Sequence, residues 1–368
     1  MPPTTQPNTR LLSLDFLRGL TMIFLTLEST LLFEHLRPAL AGTVGAPILN
    51  EFTHHPWHGL HFWDLVQPTF MFIAGTALAF SMNKRRKTMS WDQAFVKILK
   101  RCFWLFFWGV LDYAVRKTGL SFELWDVLTQ LSFTTLVAFL IMDSPIVMQI
   151  FISFLCLLIP ELLYRYAHVP GFDQPFVDQH NFGNYVDTLL MDKINPDGWV
   201  AINCISTSAH TIWGVIAGKI LLSSRTSSQK MRYLLISSAV LLILGFGLDA
   251  ASITPIIKRI ATSSFVLASG GYCVLFLAIC YWWIDIKMHQ RHLVFFTWFG
   301  MNSIFIYLFF EIVGDRWFTG YILTITNGLF GFINVPEIAA AILGSLIVFV
   351  LEAGMLRFLF KKKVFFKI

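Results

Sequence analysis

Four histidines, His54, His55, His58 and His61, crowd the segment Thr53-His54-His55-Pro56-Trp57-His58-Gly59-Leu60-His61-Phe62-Trp63-Asp64, which closes on a carboxylate. Imidazole exchanges protons near neutral pH, so such a cluster can serve as acid/base, nucleophile or metal ligand. The spacing is not that of an H-E-x-x-H helix, and Pro56 breaks any helix across the cluster, so no metal is expected. The structural alternative is an interfacial loop rich in His and Trp. Further ionisable residues stand inside apolar runs, where a charge is costly unless it is paired or faces water. Asp15 and Arg18 are three apart and able to pair on one helix face, whereas Glu28 lies deeper, beside Ser29 and Thr30. Asp64, Asp112, Asp126, Asp249 and Asp285 fall near run ends, where interfacial water accounts for most of them.

The elements that must position these groups are membrane helices. Of 368 residues, 56% are hydrophobic and 14% charged, and mean hydropathy is +0.64, so lipid must replace water around most of the chain. Apolar runs near the roughly 17–25 residues that cross a bilayer occur at 14–33, 61–82, 95–114, 124–142, 145–166, 200–222, 232–250, 262–284, 293–313 and 336–359. The fold class expected is therefore all-α integral membrane, about ten transmembrane helices in a single bundle over residues 1–368. The stretch 321–332, broken by Asn327, Gly328 and Gly331, reads as re-entrant or interfacial. Asp15 and Arg18, with no small-residue cleavage site following, mark a retained first helix rather than a signal peptide.

Lys84-Arg85-Arg86-Lys87, Arg225 with Lys230 and Arg232, Lys287 with Arg291, and Lys361-Lys362-Lys363 fall on one side; Arg116-Lys117 and Lys258-Arg259 are scattered on the other. This bias places both termini in the cytoplasm and loops 34–60 and 167–199 outside it. The net charge of +6 sits in these short runs, which suits anionic headgroups and not nucleic acid. The five cysteines lie in apolar stretches without CxxC spacing, so neither disulfides nor zinc are indicated.

Several blocks resemble the heparan-alpha-glucosaminide N-acetyltransferase family of membrane acyltransferases. Ser13-Leu14-Asp15-Phe16-Leu17-Arg18-Gly19 is similar to its opening motif, which the bacterial surface-glycan O-acetylases share in part. More specific is His54-x-x-Trp57-x-Gly59-Leu60-x-x-x-Asp64-Leu65-Val66-x-Pro68, ending in Phe72-Ile73-Ala74-Gly75. Asn195-Pro196-Asp197-Gly198, Ile202-Asn203 and Gly214 to Lys219 follow in order, then Pro255 to Lys258 with Ser263-Ser264, and Gly300-Met301-Asn302-Ser303-Ile304 with Tyr307 and Glu311. Where the family has Asn near the outer end of the first helix this chain has Ser29 beside Glu28, and a family His is Phe310 here. The O-acetylases carry their essential His on the first helix, which has none in this chain.

The resemblance implies transfer of an acetyl group from cytosolic acetyl-CoA, the donor substrate, to an amine or hydroxyl of an extracytoplasmic sugar or glycan. It points to His54 as base or acyl-carrying nucleophile, with Asp64 or Glu28 orienting its ring. Candidate binding residues are Asp15, Arg18, Trp57, His58, Asn203, Lys219, Lys258 and Asn302: cations for the donor's phosphates, and Asn302 for the acyl oxygen unless it serves helix packing. Arg18, Lys219 and Lys258 could instead neutralise headgroups. The expected partners are membrane lipid and the glycan acceptor, with a homodimer as a compatible assembly, and the expected place is a bacterial inner membrane. Two other classes use the same polar groups: a transporter or flippase without covalent chemistry, and an inactive subunit that binds acetyl-CoA without turnover.

Overall fold

The computed structural model describes residues 11–85, 88–115 and 119–366. Arg86, Lys87, Arg116 and Lys117, counted in the charge bias, lie outside the described residues. Helices make up the framework: α1 (Leu12–Ser29), α2 (Leu32–Leu40), α3 (Gly45–Asn50), α4 (Val66–Arg85), α5 (Trp91–Ala114), α6 (Val127–Ile141), α7 (Ile146–Tyr166) and α8 (Phe182–Met191). They continue as α9 (Asn203–Leu222), α10 (Ser227–Ala250), α11 (Ser263–Cys280), α12 (Leu293–Met301), α13 (Ser303–Phe309), α14 (Thr319–Phe332) and α15 (Glu337–Lys361). A 3-10 turn, Phe62–Leu65, leads into α4; wider π turns extend α11 through Tyr281–Ile286 and join α13 to α14 through Phe310–Phe318.

Local chemistry sets the helix starts. Ser90 with Gln93, Asn181 with Asn184 and Thr226 with Gln229 form capping boxes at α5, α8 and α10. Among the described residues six helices are long and apolar enough to cross a membrane: Phe62–Arg85, Ile146–Tyr166, Asn203–Leu222, Ser227–Ala250, Ser263–Ile286 and Glu337–Lys361. Two bent pairs raise this to eight if each is one span. The chain turns by 69° between α1 and α2, where Leu31 adopts a left-handed φ of 63°, and by 67° at Asn302. The stretch 321–332, expected to be re-entrant or interfacial, is helical in α14 and belongs to the second bent pair, and loops 34–60 and 167–199 contain α2, α3 and α8.

The bundle is layered. About two-thirds of each apolar stretch in α4, α9 and α11 is buried, whereas in α7, α10 and α15 the buried share is 17–28%. Phe151 and Phe154 on α7, Ile243 on α10 and Val350 on α15 stand on the exterior, a surface that water would penalise and acyl chains would not. The central α4–α9 contact depends on small residues: a Cβ on Gly75 would lie 2.0 Å from Thr211 O, and one on Gly214 2.1 Å from Phe72 O.

Candidate active site

The His-rich loop is held by its own backbone and by one carboxylate. Asp64, 1% exposed, accepts from the backbone N–H of His61 (2.9 Å) and His55 (3.2 Å), and its Oδ1 lies 3.0 Å from His54 Nδ1. His61 donates from its ring to Thr53 O, and Glu51 accepts from Phe62 N and Trp63 N. Gly59, at φ 149°, leaves room for the His55 ring, which a Cβ would meet at 2.4 Å.

A second segment arrives from the other half of the chain. Gly59 N donates to Ile256 O at 2.9 Å, and His58 pairs with Ile257 in an antiparallel bridge. This pairing sets Lys258 beside the imidazole: its Nζ is 3.0 Å from His54 Nδ1 and 3.5 Å from Asp64 Oδ1. Trp199, from the connection before α9, meets the His54 ring edge-on at 5.8 Å and lies under the Lys258 ammonium at 5.3 Å.

His54 Nδ1 can donate to Asp64 or accept from Lys258, but not both, so the two contacts correspond to two tautomers. When Nδ1 carries the proton, Nε2, which has no partner among the described residues, is left as a free lone pair. Crowding by protein, with the Lys258 cation beside it, lowers the His54 pKa from 6.5 to about 4, although 39% of its side-chain surface is open. Burial lowers Lys258 from 10.5 to about 8, against the opposing pull of Asp64 and Glu28. At pH 7 the site therefore holds a neutral imidazole next to an ammonium that is close to releasing its proton.

These groups form one wall of a cavity of about 210 Å³. Glu28 projects into it, accepts from the Trp63 indole and faces Lys258. Asp126 and Glu311 add two more carboxyl groups; Asp126 caps α6 through Leu128 N (2.7 Å) and accepts from Tyr307 Oη at 2.8 Å. Gln67 donates to Gln130, which donates to Trp125 O. A chamber lined by an imidazole, an ammonium, carboxyl groups and indole rings can hold a polar molecule and take a proton from it.

His54, Asp64, Glu28 and Lys258 are thus brought together, and the other candidates lie elsewhere. Trp57 Nε1 donates to Phe176 O at 2.8 Å and ties two loops; His58 pairs with Asp249 at 2.7 Å on the exposed side. Asn203 reaches Arg259 O, and the Asn302 amide donates to Val364 O and accepts from Phe366 N, so the C-terminal tail occupies both its ends. Asp15 and Arg18 line a separate recess with Lys84, with Arg18 ten residues or about 15 Å down α1 from Glu28. Lys219 contacts Ser144 O. Trp125, Trp199, Gln67 and Gln130 escaped the sequence reading; a Gln inside an apolar helix, and a Trp directly after the Asn195-to-Gly198 turn, were the available signals.

Residues 10–164 match a family model described as a domain of unknown function, DUF5009. The match contains Glu28, His54, Asp64 and Asp126, and it ends before Trp199 and Lys258. No curated protein matches the chain.

Proposed function

We propose that this protein is a membrane acyltransferase that moves an acetyl group from cytosolic acetyl-CoA to an amine or hydroxyl of an extracytoplasmic sugar. The observation that carries the reading is the His54–Asp64 pair opening, beside Lys258, into a cavity walled by carboxyl groups and indoles.

In this reading Asp64 holds the Nδ1–H tautomer and His54 Nε2 takes the proton of the acceptor N–H or O–H as that atom bonds to the thioester carbon. The carbonyl electrons move onto oxygen next to Lys258, then return as the C–S bond breaks, and the leaving thiolate takes the proton from His54. An imidazole of pKa about 4 is a weak base at rest. A developing oxyanion offsets the field of Lys258, so His54 gains basicity as the tetrahedral intermediate forms. Glu28, Asp126 and Glu311 would hold the sugar's hydroxyl or amino groups. Arg18 and Lys84, in the recess at the start of α1, would meet the donor's phosphates.

In this reading the six long apolar helices, each bent pair, α5 and α6 would all cross the membrane, which would put both termini on the cytoplasmic side and the His54, Lys258 and Trp199 connections together on the other. An inner membrane of a bacterium suits this arrangement.

The test is release of free CoA from acetyl-CoA by purified protein supplied with amino and neutral sugars. His54→Ala should lower turnover by about 10²- to 10⁴-fold with unchanged thermal stability. Sugar-dependent CoA release at the wild-type rate by that variant would refute the mechanism, and sugar binding without CoA release in the wild type would favour a transporter.

A further inference from the structure

Asp187 lies in α8, outside the membrane-crossing helices, with no exposed surface. Its two oxygens meet two donors: Oδ2 accepts from Trp125 Nε1 and Oδ1 from Ala201 N, both at 2.9 Å. Trp125 is a wall of the cavity, and Ala201 is two residues past Trp199, the indole that meets His54 and Lys258. One carboxylate therefore fixes two walls that come from different connections. The helix carrying it is itself anchored, by the Asn181 cap and by Gly183, where a Cβ would lie 2.6 Å from Tyr164 Oη.

We propose that Asp187 is a positioning residue: by holding Trp125 and the 199–201 segment at once, it sets the width of the cavity and hence its fit to the acceptor. The assignment to acceptor fit rests on the function proposed above; the hydrogen-bond geometry does not. The two donors approach different oxygens, so a carboxylate satisfies both where they stand, and among the described residues no cation pairs with Asp187. Tyr164 of α7 is the titratable group facing it, while Lys193 and Glu123, beyond the end of α8, pair with each other at 3.0 Å. Burial pushes the Asp187 pKa up to about 7, against the two donated bonds. Protonation converts one acceptor oxygen into a hydroxyl and weakens one of the two bonds.

The test uses the full-length protein in nanodiscs. In the wild type, hydrogen exchange at 199–203, corrected for its intrinsic pH dependence, should quicken as pH falls through about 7, with a matching step in the Trp125 indole N–H signal. Asp187→Asn turns an amide donor toward one of its donors, so it should exchange fast at every pH, lose that step and raise the acceptor KM about tenfold, the equivalent of one hydrogen bond, with kcat within twofold. If Asp187→Asn fails to fold, Trp125→Phe removes one donor alone and should move the step at 199–203 to higher pH. Exchange that is pH-independent in the wild type, or unchanged in both variants, overturns the proposal. Altered exchange with an unchanged KM overturns the link to acceptor fit. If neither protein turns over acetyl-CoA, the functional reading fails while the exchange and indole data still decide the role of Asp187.

Discussion

Replacing Asp64 with Asn exchanges one oxygen for an amide nitrogen and should disable the site by two routes. The carboxylate accepts from His54 Nδ1, His55 N and His61 N and faces the Lys258 ammonium at 3.5 Å. An amide has one acceptor oxygen, which the backbone donors claim, so its N–H₂ is turned toward His54. Nδ1 must then accept, Nε2 carries the proton, and the imidazole presents no lone pair to the cavity. In a serine-protease triad the same carboxylate-to-amide change beside a catalytic imidazole costs about 10⁴ in kcat through the wrong tautomer, and a loss of that order is expected here. The second route is electrostatic. The fall of Lys258 from 10.5 to about 8 already corresponds to about 3 kcal/mol in favour of the neutral amine. Removing the facing charge lowers that pKa further, and breaking a buried pair typically costs about 3–5 kcal/mol. A depressed lysine penalises the fold fully below its folded pKa and is relieved as pH rises toward 10.5. The variant should therefore be destabilised most at pH 7 and recover by pH 9. Thioester cleavage measures the first effect and thermal unfolding at the two pH values the second. Activity within tenfold of wild type, or a stability deficit independent of pH, would sink the argument.

Three further outcomes follow, two from the site and one from the helix packing. In the wild type, kcat/KM should fall on the acid side as His54 of the free protein is protonated near pH 4 and on the alkaline side as Lys258 loses its proton near pH 8. Lys258→Met should abolish the alkaline limb, shift the acid limb upward because a neighbouring cation is gone, and lower kcat by about 10²- to 10³-fold if the ammonium stabilises the oxyanion; a pH–rate profile reads all three. Gly75→Val would drive a side chain into the Thr211 carbonyl at the α4–α9 crossing, so thermal unfolding should drop sharply or the protein should fail to accumulate; a Tm within 2 °C of wild type (roughly the shift of ~1 kcal/mol or less at this size) would contradict the packing.

Part of the site is written in consecutive residues. His54 and Asp64 are ten positions apart, and the interval holds a proline, a glycine and backbone donors that wrap the carboxylate, so their pairing is a local property that a sequence can disclose. The apolar runs were likewise legible, because hydropathy over a helix length is local. α5 and α6 mark the limit of that signal: the first carries Lys97, Lys100, Arg101 and Asp112, and the second has 15 residues.

Sequence by itself thus determined that the chain is a helical membrane protein, and that an imidazole and a carboxylate stand together in one loop. Only the tertiary structure decided that Lys258, 204 residues downstream, shares the Nδ1 nitrogen of His54, that Trp199 and Trp125 wall the cavity, and that Asn302 is engaged by the C-terminal tail. The reason is physical. A lysine in a loop or an asparagine in a helix has the same local pattern whether its partner is water, backbone or a distant side chain, and that partner is fixed by packing between segments far apart in the chain.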